Sequence, residues 1–266
     1  MNKPDKLLPI MIVGAIIVVF TATIMDGTNP IVMFKPAPML LVFGGSILAS
    51  IAGIMRSDMK AVKAAGKKIM KADHIDPQKD LDTIVHLAEV ARREGLLALE
   101  KAASEVEDPF FKKGIEMTVD GVDPEEIREI LEGEIDGLED RHKLGTKFFT
   151  DLGGFSPTLG IIGTVIGLVA VLGSLTNPGQ LGPKIASAFT ATLWGILMAN
   201  LVWLPISNKL QRASSLELTS KRLILDGILA IQAGSSPRMV QARLQCYIAP
   251  KDRADVRGAS KQEEAA

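Results

Sequence analysis

Four stretches of this chain carry no Asp, Glu, Lys, Arg or His: residues 7–25, 36–55, 152–183 and 185–208. Each offers the roughly 20 apolar residues, about 30 Å of helix, that the hydrocarbon core of a bilayer requires. Charged residues make up 23% of the 266-residue chain and hydrophobic ones 47%, so the charge must be gathered between the runs rather than spread through them. This segregation predicts an all-α integral membrane protein with transmembrane helices at 7–25, 36–55, 155–176 and 185–206. No small-x-small cleavage site closes the first run and a second run follows at once, which predicts a retained span rather than a signal peptide.

Basic residues orient the spans. Arg56, Lys60, Lys63, Lys67, Lys68 and Lys71 follow the second run against Asp58 alone, and Lys209 and Arg212 follow the fourth. Cytoplasmic flanks collect Lys and Arg, so both places are predicted to face the cytoplasm of the inner membrane. Both termini then lie inside: a short segment 1–6 with Lys3 and Lys6, and a polar region of helices over 207–249 ending in a charged, disordered tail over 250–266. The two outer connections are short, with Lys35 in one and Lys184 beside the other. The 60–71 stretch, with Met59, Val62, Ala65 and Ile69 between its charges, has two readings: a helix lying along the anionic inner leaflet, or a charge cluster that only sets topology.

Residues 56–151 form a polar insert between spans two and three. Ile84, Leu87, Ala88, Ala91, Ala98, Leu99 and Ala102 keep helical spacing and predict one buried face. Asp123-Pro124-Glu125-Glu126 joins an N-cap acid, a proline at the first helical position and an acid three residues past the cap, the signature of a helix start. From there Ile127, Leu131, Ile135, Leu138, Phe148 and Leu152 continue a stripe towards the third span, although Gly145, Gly153, Gly154 and Pro157 interrupt the best helix formers.

The chain lacks the equipment of an enzyme. His74, His86 and His142 are far apart, and no metalloprotease, hydrolase, P-loop or dinucleotide motif occurs. Thirty basic against 31 acidic residues exclude a strongly basic nucleic-acid binder, and the single cysteine excludes an internal disulfide. No cofactor or metal is implied. The spans hold no ionisable side chain, so the chain alone cannot provide a carboxylate relay for ions. They hold small residues instead: Gly160, Thr164, Gly167 and Ser174 on one side of span three, and Ala188, Thr192, Gly195 and Ala199 at helical spacing in span four. Such faces invite close helix neighbours. The neighbours are either other spans of the same chain or a partner helix bringing the missing carboxylate, beside which the Thr164 and Thr192 hydroxyls would help bind a dehydrated cation.

Three segments carry a resemblance: residues 91–100 (ARREGLLALE), 156–168 (SPTLGIIGTVIGL) and 225–232 (LDGILAIQ). With the order of two spans, a helical insert, two spans and a basic tail, the chain resembles the flagellar motor stator A subunits, the MotA and PomA family, from the first span to about Tyr247. The resemblance implies a homopentamer around two copies of a single-span B subunit, whose membrane aspartate carries the ion and whose periplasmic part binds peptidoglycan. It implies that charged residues of the insert engage the rotor switch protein: Arg92 and Glu100 match the family's rotor-facing pair, and Glu89 and Arg93 match neighbouring charges. On a continuous helix Glu89, Arg93 and Glu100 would share a face. Pro157 and Pro205 match two prolines flanking the ion path, where they would act as hinges.

Thr164 matches a threonine typical of sodium-driven members, which implies sodium as the transported ion with the proton as the alternative. The competing use of that hydroxyl is a bond to the Gly160 carbonyl on its own helix. The chain departs from the sodium-driven pattern at Lys35 and Pro36 in the outer loop and at Ala191, which precedes Thr192. A second functional class with related spans is the ExbB and TolQ type of envelope energy transducer, whose members have three spans and an outside N-terminus. A scaffold or secondary transporter is the third, and a transporter would show repeated halves.

Overall fold

A computed structural model describes residues 7–70, 77–103, 106–248 and 250. Segment 1–6 and, apart from Pro250, the tail expected over 250–266 lie outside the described residues. The main helices in chain order are α1 (Leu7–Met25), α2 (Pro36–Ala52), α3 (Met59–Met70), α4 (Pro77–Glu94), α5 (Leu99–Ala103), α6 (Pro109–Val119), α7 (Pro124–Leu172), α8 (Pro178–Gln232) and α9 (Pro237–Leu244). No strand occurs among the described residues.

Proline and short polar caps start most of these helices. Asp108 accepts from the Phe110 amide at 2.9 Å ahead of α6, Asp123 accepts from the Glu125 amide at 2.9 Å ahead of α7, and Ser236 accepts from the Met239 amide ahead of α9. The helix start read at Asp123 is therefore formed. Despite four interrupting residues, α7 is one helix of 49 residues with Pro157 inside it. Helix α8 accommodates Pro205 differently, because a π-helical turn over Ala199–Trp203 precedes it and loosens the ladder where the proline lacks its N–H.

The chain divides into two compact units, Met1–Asp73 with Asp140–Ala213 and His74–Glu139 with Ser214–Ala266, so the insert expected over 56–151 is shared between them. Helices α1, α7 and α8, of which the first unit holds all of α1 and the apolar parts of α7 and α8, are each long and apolar enough to cross a membrane, and α2 is turned by 111° into the segment that begins at Arg56. Helix α1 buries no residue. An all-round apolar helix exposed in this way is stable only against lipid or other helices. In this unit Phe149, Leu152, Ile206 and Leu210 form a core against which Leu8, Ile12, Ala65, Ile69 and Trp203 pack.

The second unit has a water-soluble kind of core. Leu81, Ile84 and Leu87 from α4, Phe111 and Ile115 from α6, Ile127 and Leu131 from α7, and Leu223, Ile224 and Ile228 from α8 are almost wholly buried. Ile84, Leu87 and Ala88 of the face read from spacing, and Ile127, Leu131 and Ile135 of the α7 stripe, belong to this core, whereas Leu152 belongs to the core of the first unit and Ala98, Leu99 and Ala102 lie beyond the end of α4. Lys221 bridges to Asp108 at 2.6 Å and sits 5.0 Å from the centre of the Phe110 ring. At the chain's far end the Tyr247 hydroxyl donates to Asp226 at 2.7 Å, and this contact with burial pushes the phenol up to about 12.

Candidate functional site

The small-residue faces of spans three and four meet each other. A Cβ on Gly167 would lie 2.5 Å from the Ala188 Cβ, one on Gly163 2.5 Å from the Ala191 Cβ, and one on Gly160 3.0 Å from the Ala191 carbonyl oxygen. On the facing helix, a Cβ on Gly195 would lie 2.5 Å from the Ser156 carbonyl oxygen and 3.3 Å from the Pro157 Cα. Glycine removes the side chain that would hold these backbones apart. Of the two neighbours the spacing allowed, α7 and α8 of the same chain are the ones in place, and Ala199 one turn further is buried as well. The same contact accounts for Ala191, whose methyl fills the room Gly163 leaves.

At the rim of this seam stand Thr164 and Thr192, both half-buried. Their hydroxyls hydrogen-bond to each other. The Thr164 hydroxyl also lies 3.1 Å from the Gly160 carbonyl and 3.2 Å from the Ala188 carbonyl, and the Thr192 hydroxyl lies 3.2 Å from the Gly160 carbonyl. The bond within its own helix is thus present for Thr164, together with two bonds across to α8. Sequence reasoning named the Gly160 carbonyl from its place four residues before Thr164 but missed that of Ala188, since a carbonyl on another helix has no residue type to mark it. Two hydroxyl protons among four oxygens cannot satisfy every pair at once. The result is a set of hard oxygen atoms drawn together across the seam, the kind of atom with which a protein replaces the hydration shell of a small cation.

Charge near these oxygens is sparse. The closest carboxylate before them on α7 is Asp151, about 20 Å away at 1.5 Å per residue, and Lys147 holds it at 2.6 Å. On the other side Lys184 donates to the Ala170 carbonyl at 3.3 Å and to the Ser174 hydroxyl. That places a positive charge on the C-terminal carbonyls of α7, where a helix end favours one. No group of three or more His, Cys, Asp or Glu that could hold a metal occurs among the described residues.

The connection between α1 and α2 is tied to the same seam. The Trp194 indole, on α8 one residue before Gly195, donates to the Met33 carbonyl at 2.7 Å, and its ring packs against Phe34 and Phe43. Residue 194 attracted no attention in the sequence, although a tryptophan in an apolar run needs a partner for its N–H. Pro157 lies beside Gly195 and breaks the α7 ladder at the crossing. Pro205 lies on α8 after the π-helical turn, with helix on both sides of it.

The expected charged residues fall in the second unit, and one is displaced. Glu89, Arg92 and Arg93 are exposed on the last turns of α4. Helix α4 ends at Glu94 because Gly95 takes φ +88°, a conformation open to glycine and strained for L side chains. Glu100 is exposed on α5, a separate helix. The shared face of Glu89, Arg93 and Glu100, which assumed one continuous helix, is therefore not formed. Arg93 makes an exposed contact with Glu94 at 3.9 Å.

Known proteins are similar along most of the chain. Residues 102–222 match the MotA/TolQ/ExbB proton channel family, and residues 10–95 match the Motility protein A N-terminal family. Motility protein A of Bacillus subtilis is 35% identical over 250 residues, 94% of this chain and 93% of that protein. The chemotaxis protein PomA of Vibrio alginolyticus is 38% identical over 240 residues, 89% of this chain and 92% of that protein. Among solved structures, the flagellar MotAB stator complex from Bacillus subtilis superposes with a TM-score of 0.87 at 35% identity, covering 94% of this chain and 98% of the other. The C. jejuni MotAB structure gives 0.88 at 29% identity, with 93% and 97% covered.

Proposed function

The chain belongs to the MotA/TolQ/ExbB proton channel family and is a MotA/PomA-type stator subunit of the flagellar motor; we propose that the ion it passes is sodium. The observation that carries this reading is the cluster of the Thr164 and Thr192 hydroxyls with the Gly160 and Ala188 carbonyls. A proton needs only a protonatable carboxylate, whereas sodium must exchange its waters for oxygen ligands. The spans lack a carboxylate, so a single-span B subunit supplies it as a membrane aspartate next to these oxygens. Five copies of the chain surround two B subunits in the inner membrane, with both termini cytoplasmic, and the ion's passage turns the ring. Arg92, Arg93, Glu89 and Glu100 meet the rotor switch protein. The Motility protein A match at residues 10–95 favours this reading over an envelope energy transducer.

Replacing sodium by potassium at fixed pH tests the ion. Cells that depend on this subunit should stop rotating their flagella in potassium and resume in sodium. Full speed without sodium would overturn the proposal and leave a proton-driven motor in which the hydroxyls are structural.

A further inference from the structure

Helix α3 separates its residues into two faces that have different surroundings. Ala65 and Ile69 pack on the core formed by Phe149, Leu152, Ile206 and Leu210, and Val62 is buried. The helix crosses α7 at Gly145 so closely that a Cβ there would lie 2.8 Å from the Ala65 Cβ and 3.0 Å from the Ala61 carbonyl oxygen. On the far side Lys60, Lys63 and Lys67, spaced three and four residues apart, form one exposed row. None of the three has an ion-pair partner among the described residues. The one acid beside the row, Asp58, is engaged by the Ser57 hydroxyl at 2.8 Å and the Met55 amide at 3.3 Å.

Placement says what the row meets. The apolar helix α2 ends near the exposed side chains of Leu48 and Ile51, with exposed Met55 just past it, and the chain then turns by 111° into the segment that holds α3. A helix set nearly square to a membrane-crossing helix, directly after its last apolar turn, lies in the plane where hydrocarbon gives way to headgroups. Lysine suits that plane, because its four-carbon stem covers apolar surface while the ammonium reaches outward. We propose that Lys60, Lys63 and Lys67 are a binding surface for anionic phospholipid headgroups of the inner leaflet. Bound there, α3 grips α7 at Gly145 and fixes the depth at which that helix leaves the membrane. This inference rests on the membrane placement of α2 and on neither the ion nor the rotor.

The test uses the full-length chain, purified in neutral detergent and offered phosphatidylglycerol or phosphatidylcholine. The lipid retained after washing is read by mass spectrometry at low and at molar salt, and the thermal midpoint without added lipid checks that each variant is folded. The native chain should retain phosphatidylglycerol over phosphatidylcholine, with the preference shrinking in high salt. A basic side chain near an anionic surface is worth roughly five-fold, so the triple variant Lys60→Gln, Lys63→Gln, Lys67→Gln should lose about five-fold or more of that preference. The triple variant with arginine at the same positions should keep it. Equal retention of the two lipids by the native chain, or a native preference in the folded glutamine variant, would overturn the proposal. Should the glutamine variant fail to fold, a native preference indifferent to salt overturns it just as well.

Discussion

The hydroxyls of Thr164 and Thr192 bond to each other across the seam between α7 and α8, and both reach the same Gly160 carbonyl, at 3.1 and 3.2 Å. Two side chains 28 positions apart in sequence thus form one oxygen cluster. That cluster is built on glycine contacts, since only a backbone approach as close as that at Gly160 and Gly167 lets short side chains span the gap.

Removing the Thr164 hydroxyl tests the cluster directly. Thr164→Ala should cripple sodium-driven rotation while leaving the subunit in the membrane, because it trims only the hydroxyl and one methyl from a half-buried side chain. Thr164→Ser, which restores the oxygen, should recover most of the speed. Rotation by both variants at the native sodium dependence would assign the hydroxyl a purely structural role.

The seam itself has no room to spare. Gly167→Leu and Gly195→Leu should each destabilise the pairing of α7 and α8 by about 1–3 kcal/mol or more, the cost of overpacking. Fluorescence-monitored thermal unfolding in detergent should register the loss together with a fall in membrane yield. Ala188→Gly should partly rescue Gly167→Ala, since the Ala188 Cβ is the atom a Gly167 side chain would strike at 2.5 Å; independent, additive effects would contradict the contact.

Charge reversal on α4 should separate stability from torque. Among the described residues, Arg92→Glu with Arg93→Glu removes exposed contacts, of which the 3.9 Å pair with Glu94 is worth under about 1 kcal/mol. The thermal midpoint and membrane level should hardly change while swimming speed falls, because exposed charges act on a partner through complementarity. Ordinary swimming by the double reversal would remove this surface from the rotor contact.

Tyr247 is the chain's single tyrosine, so the absorbance of tyrosinate reports it alone. Burial and the Asp226 carboxylate raise its pKa to about 12, above the ordinary value of about 10. A raised folded value means that the phenol's contribution to stability is complete below about pH 10 and is lost as pH rises through 12. Tyr247→Phe should cost about 1 kcal/mol of stability at neutral pH, a difference that disappears in strong alkali. Titration near 10 in the folded chain would show that the bond to Asp226 does not hold in solution.

Local chemistry was enough for the apolar runs, the helix start at Asp123 and the buried stripe of Ile127, Leu131 and Ile135, because hydropathy, capping and a 3.6-residue period are carried by neighbours in the chain. Gly160, Gly167, Ala188 and Gly195 were legible as smooth faces, but smoothness does not name the surface that fills it. The tertiary structure decided that these faces meet each other and that two backbone carbonyls join the threonine hydroxyls. It also decided where the α4 helix ends: a glycine tolerates helical and left-handed backbone nearly alike, and only the folded chain sets φ at Gly95 and so parts Glu100 from Glu89 and Arg93. Sequence spacing therefore determined which residues could act together, and the backbone dihedral and the helix crossing determined which of them do.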